Sequence, residues 1–170
     1  MRVRDVTFEG SPQDKSPKGE AAMFVPRFKA GRWTKKIVLF QSLKTASDAS
    51  FSYTIAHEMG HAIDHAPAEG AAGLIAKGSA HDDPKFMEAA AKDGGRAKAI
   101  THYAATDDDE FFAECFALFI QQPETLNALR PHIYAFFNEY QWGALQNETL
   151  NPLRKGRVTH LVGAGPRGLF

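Results

Sequence analysis

The segment from Asp107 to Gln121 constrains the fold of this chain more than any other. At 100° per residue, Phe111, Phe112, Ala113, Cys115, Phe116, Leu118, Phe119 and Ile120 cover most of a helical circumference. Such a helix must lie inside the molecule, with neighbours on nearly every side. The narrow remaining arc carries Asp107, Glu110, Glu114 and Gln121. Burying Glu110 and Glu114 unpaired costs on the order of several kcal/mol, so they must reach solvent, pair with Lys or Arg, or face a metal ion.

A second helix offers the metal. Ser47 or Asp48 can cap a helix running to about His65, with Phe51, Ile55, Met59, Ala62, Ile63 and Ala66 on one arc. The opposite arc holds Thr54, His57, Glu58, His61, Asp64 and His65. In His57-Glu58-Met59-Gly60-His61 the two imidazoles stand one turn apart on one face, where both can reach a zinc ion at about 2.0–2.1 Å. Glu58 sits beside them, placed to take a proton from metal-bound water. Gly60 is less favourable in a helix than Ala by about 1 kcal/mol, which predicts close packing against another element.

Catalytic zinc needs a third protein ligand and an open fourth position. Cys115 is the only cysteine, so neither a disulfide framework nor a cysteine cage is available, and the ligands must be His and carboxylate. A ligand six residues beyond His61 would be Pro67, which cannot ligate. The third ligand is therefore sought on the aromatic helix, where Glu110 and Glu114 both face the site.

Ahead of these helices, Arg2 to Phe8, Ala21 to Phe28 and Trp33 to Gln41 are strand-like runs, and the short Lys29-Ala30-Gly31-Arg32 link predicts a hairpin. The Ser11 to Gly19 loop is polar. After the zinc motif, a Gly/Ala-rich connection from Pro67 to Ala80 leads to a short helix started by Asp83-Pro84 and stopped by Gly94-Gly95, together a rim to the site. Asp107 caps the aromatic helix and Pro123 ends it. A last helix starts at Pro131 with Ile133, Phe136, Phe137 and Tyr140 inward, and the tail from Asn151 is basic and Gly-rich. The expected class is α+β: short antiparallel N-terminal strands, an active-site helix, then a helical C-terminal half, all one domain over residues 1–170.

Twenty basic and twenty acidic residues balance, which argues against a nucleic-acid or anionic-membrane partner, and no run reaches the ~20 apolar residues of a membrane span. Met1-Arg2-Val3-Arg4 lacks the apolar core of a signal peptide and leads at once into a strand-like stretch. A domain excised from a larger polypeptide is expected to begin this way.

Two stretches, His57 to Asp64 and Tyr103 to Phe116, together resemble the zincin domain of the anthrax lethal factor-like family, which includes the toxin's peptidase domain and the bacterial Pro-Pro endopeptidases. In that family a Tyr stands seven residues before a ligand Glu, with a second Glu one turn later; the positions here are Tyr103, Glu110 and Glu114. The resemblance implies a zincin fold with Zn2+ on His57, His61 and Glu110, and Glu58 as general base. It also implies Tyr103 as donor to the oxyanion and Glu114 as acceptor orienting a zinc-bound imidazole. It covers about residues 53 to 120, so substrate preference does not transfer. Such zincins align the bound peptide along one strand, for which Trp33 to Gln41 is the candidate edge.

The expected activity is thus zinc-dependent endopeptidase action on a protein or peptide substrate. The setting expected from the resemblance is a toxin or effector, secreted or delivered within a larger protein, with an immunity or delivery protein as partner. A non-toxin or phage-borne peptidase, otherwise cytoplasmic, is the alternative among enzymes, and a zinc-stapled binding module the alternative outside them.

Other signals carry less. Asp64, beside His57 and His61 on the wheel, either hydrogen-bonds a ligand or caps the helix end. His65 is expected to cap or be solvated, and His81, His102, His132 and His160 lack paired spacing. Cys115 falls on the apolar side as an inert thiol. Asp107-Asp108-Asp109 lacks a calcium-loop pattern and suits a helix N-terminus. The glycine run from Gly163 to Gly168 has no room for a following helix.

Overall fold

A computed structural model describes residues 6–9, 16, 19–29, 32–65 and 79–139. Outside them lie the polar loop apart from Ser16 and Gly19, the connection from 66 to 78, Tyr140, and the tail from Asn151 with His160 and the glycine run. The described elements are strands β1 (Val6–Glu9), β2 (Ala22–Lys29) and β3 (Arg32–Leu39), then helices α1 (Asp48–Asp64), α2 (Pro84–Lys92), α3 (Asp108–Gln121), α4 (Pro123–Leu129) and α5 (Pro131–Glu139). Strands precede helices, as the α+β expectation requires.

Helix α3 occupies the centre. Its Asp107 cap accepts the Glu110 N–H at 2.8 Å, and every residue from Phe111 to Ile120 is buried. On one side Phe112, Phe116 and Phe119 pack on Phe137 of α5, and Phe86 of α2 closes the cluster with ring centroids 4.9 Å from Phe112 and 5.3 Å from Phe136. Pro123, expected only as a stop, also opens α4, because a proline has no amide hydrogen to miss at the first helical position.

On its other side α3 meets α1. Ser47 caps α1 by accepting the Ser50 N–H. The close packing predicted at Gly60 is present: a Cβ there would stand 2.7 Å from Ala113 Cα and 3.0 Å from Ala113 O. The two helices touch backbone to backbone at this crossing, which sets the spacing of everything they carry above it.

The sheet order is β1-β3-β2, with β2 and β3 antiparallel as the hairpin predicts and β1 parallel to β3. This corrects the docking strand. Residues Trp33 to Gln41 do not form an edge: β3 is the middle strand, since β1 takes the side the hairpin leaves open, and the chain from Gln41 to Thr45 turns as a 3-10 helix. The edge beside α1 is β2. Ala21 accepts the Phe40 N–H at 2.9 Å across the hairpin, so strand alternation turns the backbone of Ala22, Phe24 and Pro26 away from β3. Among the described residues no helix is long and apolar enough to cross a membrane.

Candidate metal centre

His57 and His61 project from successive turns of α1 toward Glu110 in the first turn of α3. Glu110 Oε2 lies 3.0 Å from His57 Nε2 and 3.3 Å from His61 Nε2, and the two nitrogens are 3.1 Å apart. Four ligands about 2.05 Å from a tetrahedral zinc ion stand about 3.3 Å from one another, so this triangle has the size an ion of that kind requires. Glu110 Oε2 is also the one buried side-chain polar atom among the described residues with no hydrogen-bond partner. A buried carboxylate oxygen facing two imidazole nitrogens without an aligned N–H is short of a cation. These donors fit a divalent metal.

The surroundings fix the three groups. Glu114, 7% exposed, takes His57 Nδ1 on its Oε1 at 3.0 Å, so that a neutral, metal-bound ring would present the lone pair of Nε2 on the side of Glu110. Its Oε2 accepts hydroxyls from Tyr53 at 3.0 Å and Thr101 at 3.1 Å. Burial opposes charging of His57, but Glu110 and Glu114 outweigh it and push the pKa up to about 9. Glu110 is likewise opposed by burial, and the two histidines hold it well below the usual carboxylate range. Glu114 is lowered, with His57 outweighing burial.

Glu58 is 6% exposed. Burial raises its pKa, and the nearby His57 and His61 and the Phe24 backbone N–H offset that only in part. A carboxylate moved toward neutrality is better matched to exchanging protons at physiological pH. Tyr103, 51% exposed, donates its hydroxyl to Glu110 Oε1 at 2.9 Å, with its ring centroid 5.6 Å from that of His57. Burial of the hydroxyl and its bond to Glu110 raise the phenol pKa, so it stays a donor.

Asp64 departs from both of its expected roles. It is fully buried, and its two oxygens accept the backbone N–H and ring Nδ1 of His81, each at 2.7 Å. At three residues past His61 it lies beyond the level at which α1 faces Glu110 and meets the turn Ala80–Asp82 instead. Asp109 Oδ1 stands 3.1 Å from the same ring nitrogen. Both Asp64 oxygens are satisfied, in contrast to Glu110 Oε2. His65 ends α1 and stacks on Phe24 at 5.7 Å. Cys115 is buried and its pKa pushed up to about 12, chiefly by burial, as an inert thiol should be.

Sequence alone missed Tyr53, Thr101 and His81. Tyr53 lies one turn before His57 on the same face, so helical spacing held a signal for it; Thr101 lies in an irregular turn and left none.

Fold and site thus describe an α+β protein with a His/His/Glu cluster suited to a metal ion beside a buried carboxylate. Residues 31–141, more than half of the chain, match the family described as glucose-regulated metallo-peptidase M90, and the chain belongs to that metallopeptidase family. The family implies a metal ion and a protein or peptide substrate. No curated protein matched the chain.

Proposed function

We propose that the chain is a zinc-dependent endopeptidase of zincin, gluzincin type, in which His57, His61 and Glu110 hold the ion. The observation that carries this is the 3.0–3.3 Å triangle of their ligand atoms around an unpartnered carboxylate oxygen. When bound, zinc supplies Lewis acidity, making water easier to deprotonate and a carbonyl easier to attack.

The remaining chemistry belongs to the chain. Glu58 takes the proton of the attacking water as its oxygen bonds to the peptide carbonyl carbon, and returns it to the amine nitrogen as the C–N bond breaks. Tyr103 turns its hydroxyl from Glu110 to the carbonyl oxygen as negative charge gathers there. Glu114 keeps His57 in the tautomer that presents Nε2.

The peptide lies along the outer edge of β2. There the Phe24 N–H is engaged by Glu58 and Pro26 has no N–H, so over these two residues the edge offers only carbonyls. A substrate must therefore present N–H donors opposite them, which disfavours proline at those positions.

The delivered-toxin setting, with its immunity or delivery partner, rests on the lethal factor-like resemblance alone. Membership of a family described as glucose-regulated makes control by glucose the first regulation to examine, by comparing activity in cells grown with and without it.

Metal analysis and digestion of a peptide library test the reading together. Glu58→Gln is expected to retain about one zinc per chain while hydrolysis falls by on the order of 10²–10⁴-fold. Full activity in that variant rules out the mechanism, and a wild type that binds zinc but cuts nothing turns the chain into a metal-stapled module.

A further inference from the structure

We infer that Thr101 is a positioning residue, through which the carboxylate that orients His57 also sets the place of Tyr103. The inference rests on the peptidase reading above and extends it to a residue outside both metal-bearing helices.

Glu114 divides its oxygens between two tasks. Oε1 meets His57, while Oε2 receives the Tyr53 and Thr101 hydroxyls, which stop the carboxylate from rotating. Thr101 Oγ1 in turn accepts the backbone N–H of Ala104 at 3.0 Å. The Thr101 hydroxyl therefore donates on one side and accepts on the other, an arrangement in which each bond polarises and strengthens the next.

Ala104 follows Tyr103 directly and is buried at 2% exposure. On the far side of the same turn Thr106 donates its hydroxyl to the Tyr103 carbonyl at 2.7 Å, and Arg96 Nη1 holds the carbonyls of Ala105 and Thr106 at 3.2 and 3.1 Å. The turn is thus clamped around Tyr103 by polar bonds. The Tyr103 ring, half exposed, gains little placement from packing, so the position of its hydroxyl over Glu110 is inherited from the backbone. Thr101 is the link between that backbone and the His57–Glu114 pair. A merely structural threonine would stabilise the turn without tying it to the site.

The test compares Thr101→Val, Thr101→Ser, Tyr103→Phe and the Thr101→Val/Tyr103→Phe pair, using the library peptide that the wild-type zinc protein cuts fastest. Tyr103→Phe should lower kcat by on the order of 10²–10³-fold. Thr101→Val should lower kcat by about tenfold or more with KM nearly unchanged, Thr101→Ser should restore it, and the double variant should be no slower than Tyr103→Phe. In the metal-free protein, amide exchange at Ala104 should quicken by about tenfold in Thr101→Val but not in Thr101→Ser. A slow Tyr103→Phe beside an unchanged Thr101→Val overturns this inference alone, as does equal exchange at Ala104 in wild type and Thr101→Val. An unchanged Tyr103→Phe overturns the role of Tyr103 and the inference with it.

Discussion

Helix α3 has two buried faces that are held by opposite kinds of force. Toward α5 and α2, Phe112, Phe116 and Phe119 meet Phe137 and Phe86 in a cluster of tilted and edge-on rings. Toward α1 and the turn before α3, Glu110 and Glu114 meet His57, His61, Tyr53 and Thr101 through single atoms at 3.0–3.3 Å and Tyr103 through one hydroxyl at 2.9 Å. The aromatic face is non-directional: its attraction scales with area and survives small shifts. The polar face is directional, because a carboxylate moved by a fraction of an ångström loses its partner and keeps its desolvation penalty. The two kinds of packing on one helix therefore give unequal tolerance to change.

Removing the two glutamates one at a time is the strongest challenge to that contrast. Glu110→Ala should leave zinc occupancy low after dialysis, since the proposed direct ligand is gone. Glu114→Ala should weaken zinc affinity by only about 10–100-fold. It also removes the acceptor of the Tyr53 and Thr101 hydroxyls, which, with Thr101 exposed and Tyr53 half-buried, should cost about 0.5–1.5 kcal/mol of stability in the metal-free protein. An empty Glu114 variant beside a full Glu110 variant would move the ligand by one helical turn.

Gly60→Ala probes the crossing beneath the site. Alanine gains about 1 kcal/mol in helix propensity. Against that, its Cβ would stand 2.7 Å from a backbone atom of Ala113, and overpacking of this kind costs about 1–3 kcal/mol or more where backbone is the obstacle. The clash should win, lowering the melting temperature of the metal-free protein and weakening zinc binding as α1 and α3 separate. A higher melting temperature with unchanged zinc affinity would mean the helices do not touch there.

The smallest effect is expected across the aromatic face. Phe137→Leu keeps an apolar side chain in the cluster and should cost about 1 kcal/mol by thermal unfolding, with zinc affinity the same as wild type. A matching loss of zinc affinity would show that the two faces are coupled.

What could be read without coordinates was local. Caps at Ser47, Asp83 and Asp107, the proline at Pro84, and the apolar arcs of α1 and α3 are written in neighbouring residues, and each appears in place. Helical spacing put His57 and His61 on one face of α1 and Glu110 and Glu114 together on the narrow arc of α3, while the choice of Glu110 between the two came from the resemblance. Strand order was not: β1 pairs with β3 across more than twenty intervening residues, and nothing in Val6 to Glu9 specifies that partner. Thr101 was hidden for the same reason, its role set by groups it meets only in three dimensions. Asp64 misled because the helical wheel gives direction but not height along the axis.

The bond between Asp64 and His81 has one more consequence. It ties the end of α1 to the start of the next described segment, so the two margins of the intervening stretch meet at a fixed point. The pair acts as a non-covalent staple between the end of α1 and the Ala80–Asp82 turn, so a substitution that breaks it is felt at both.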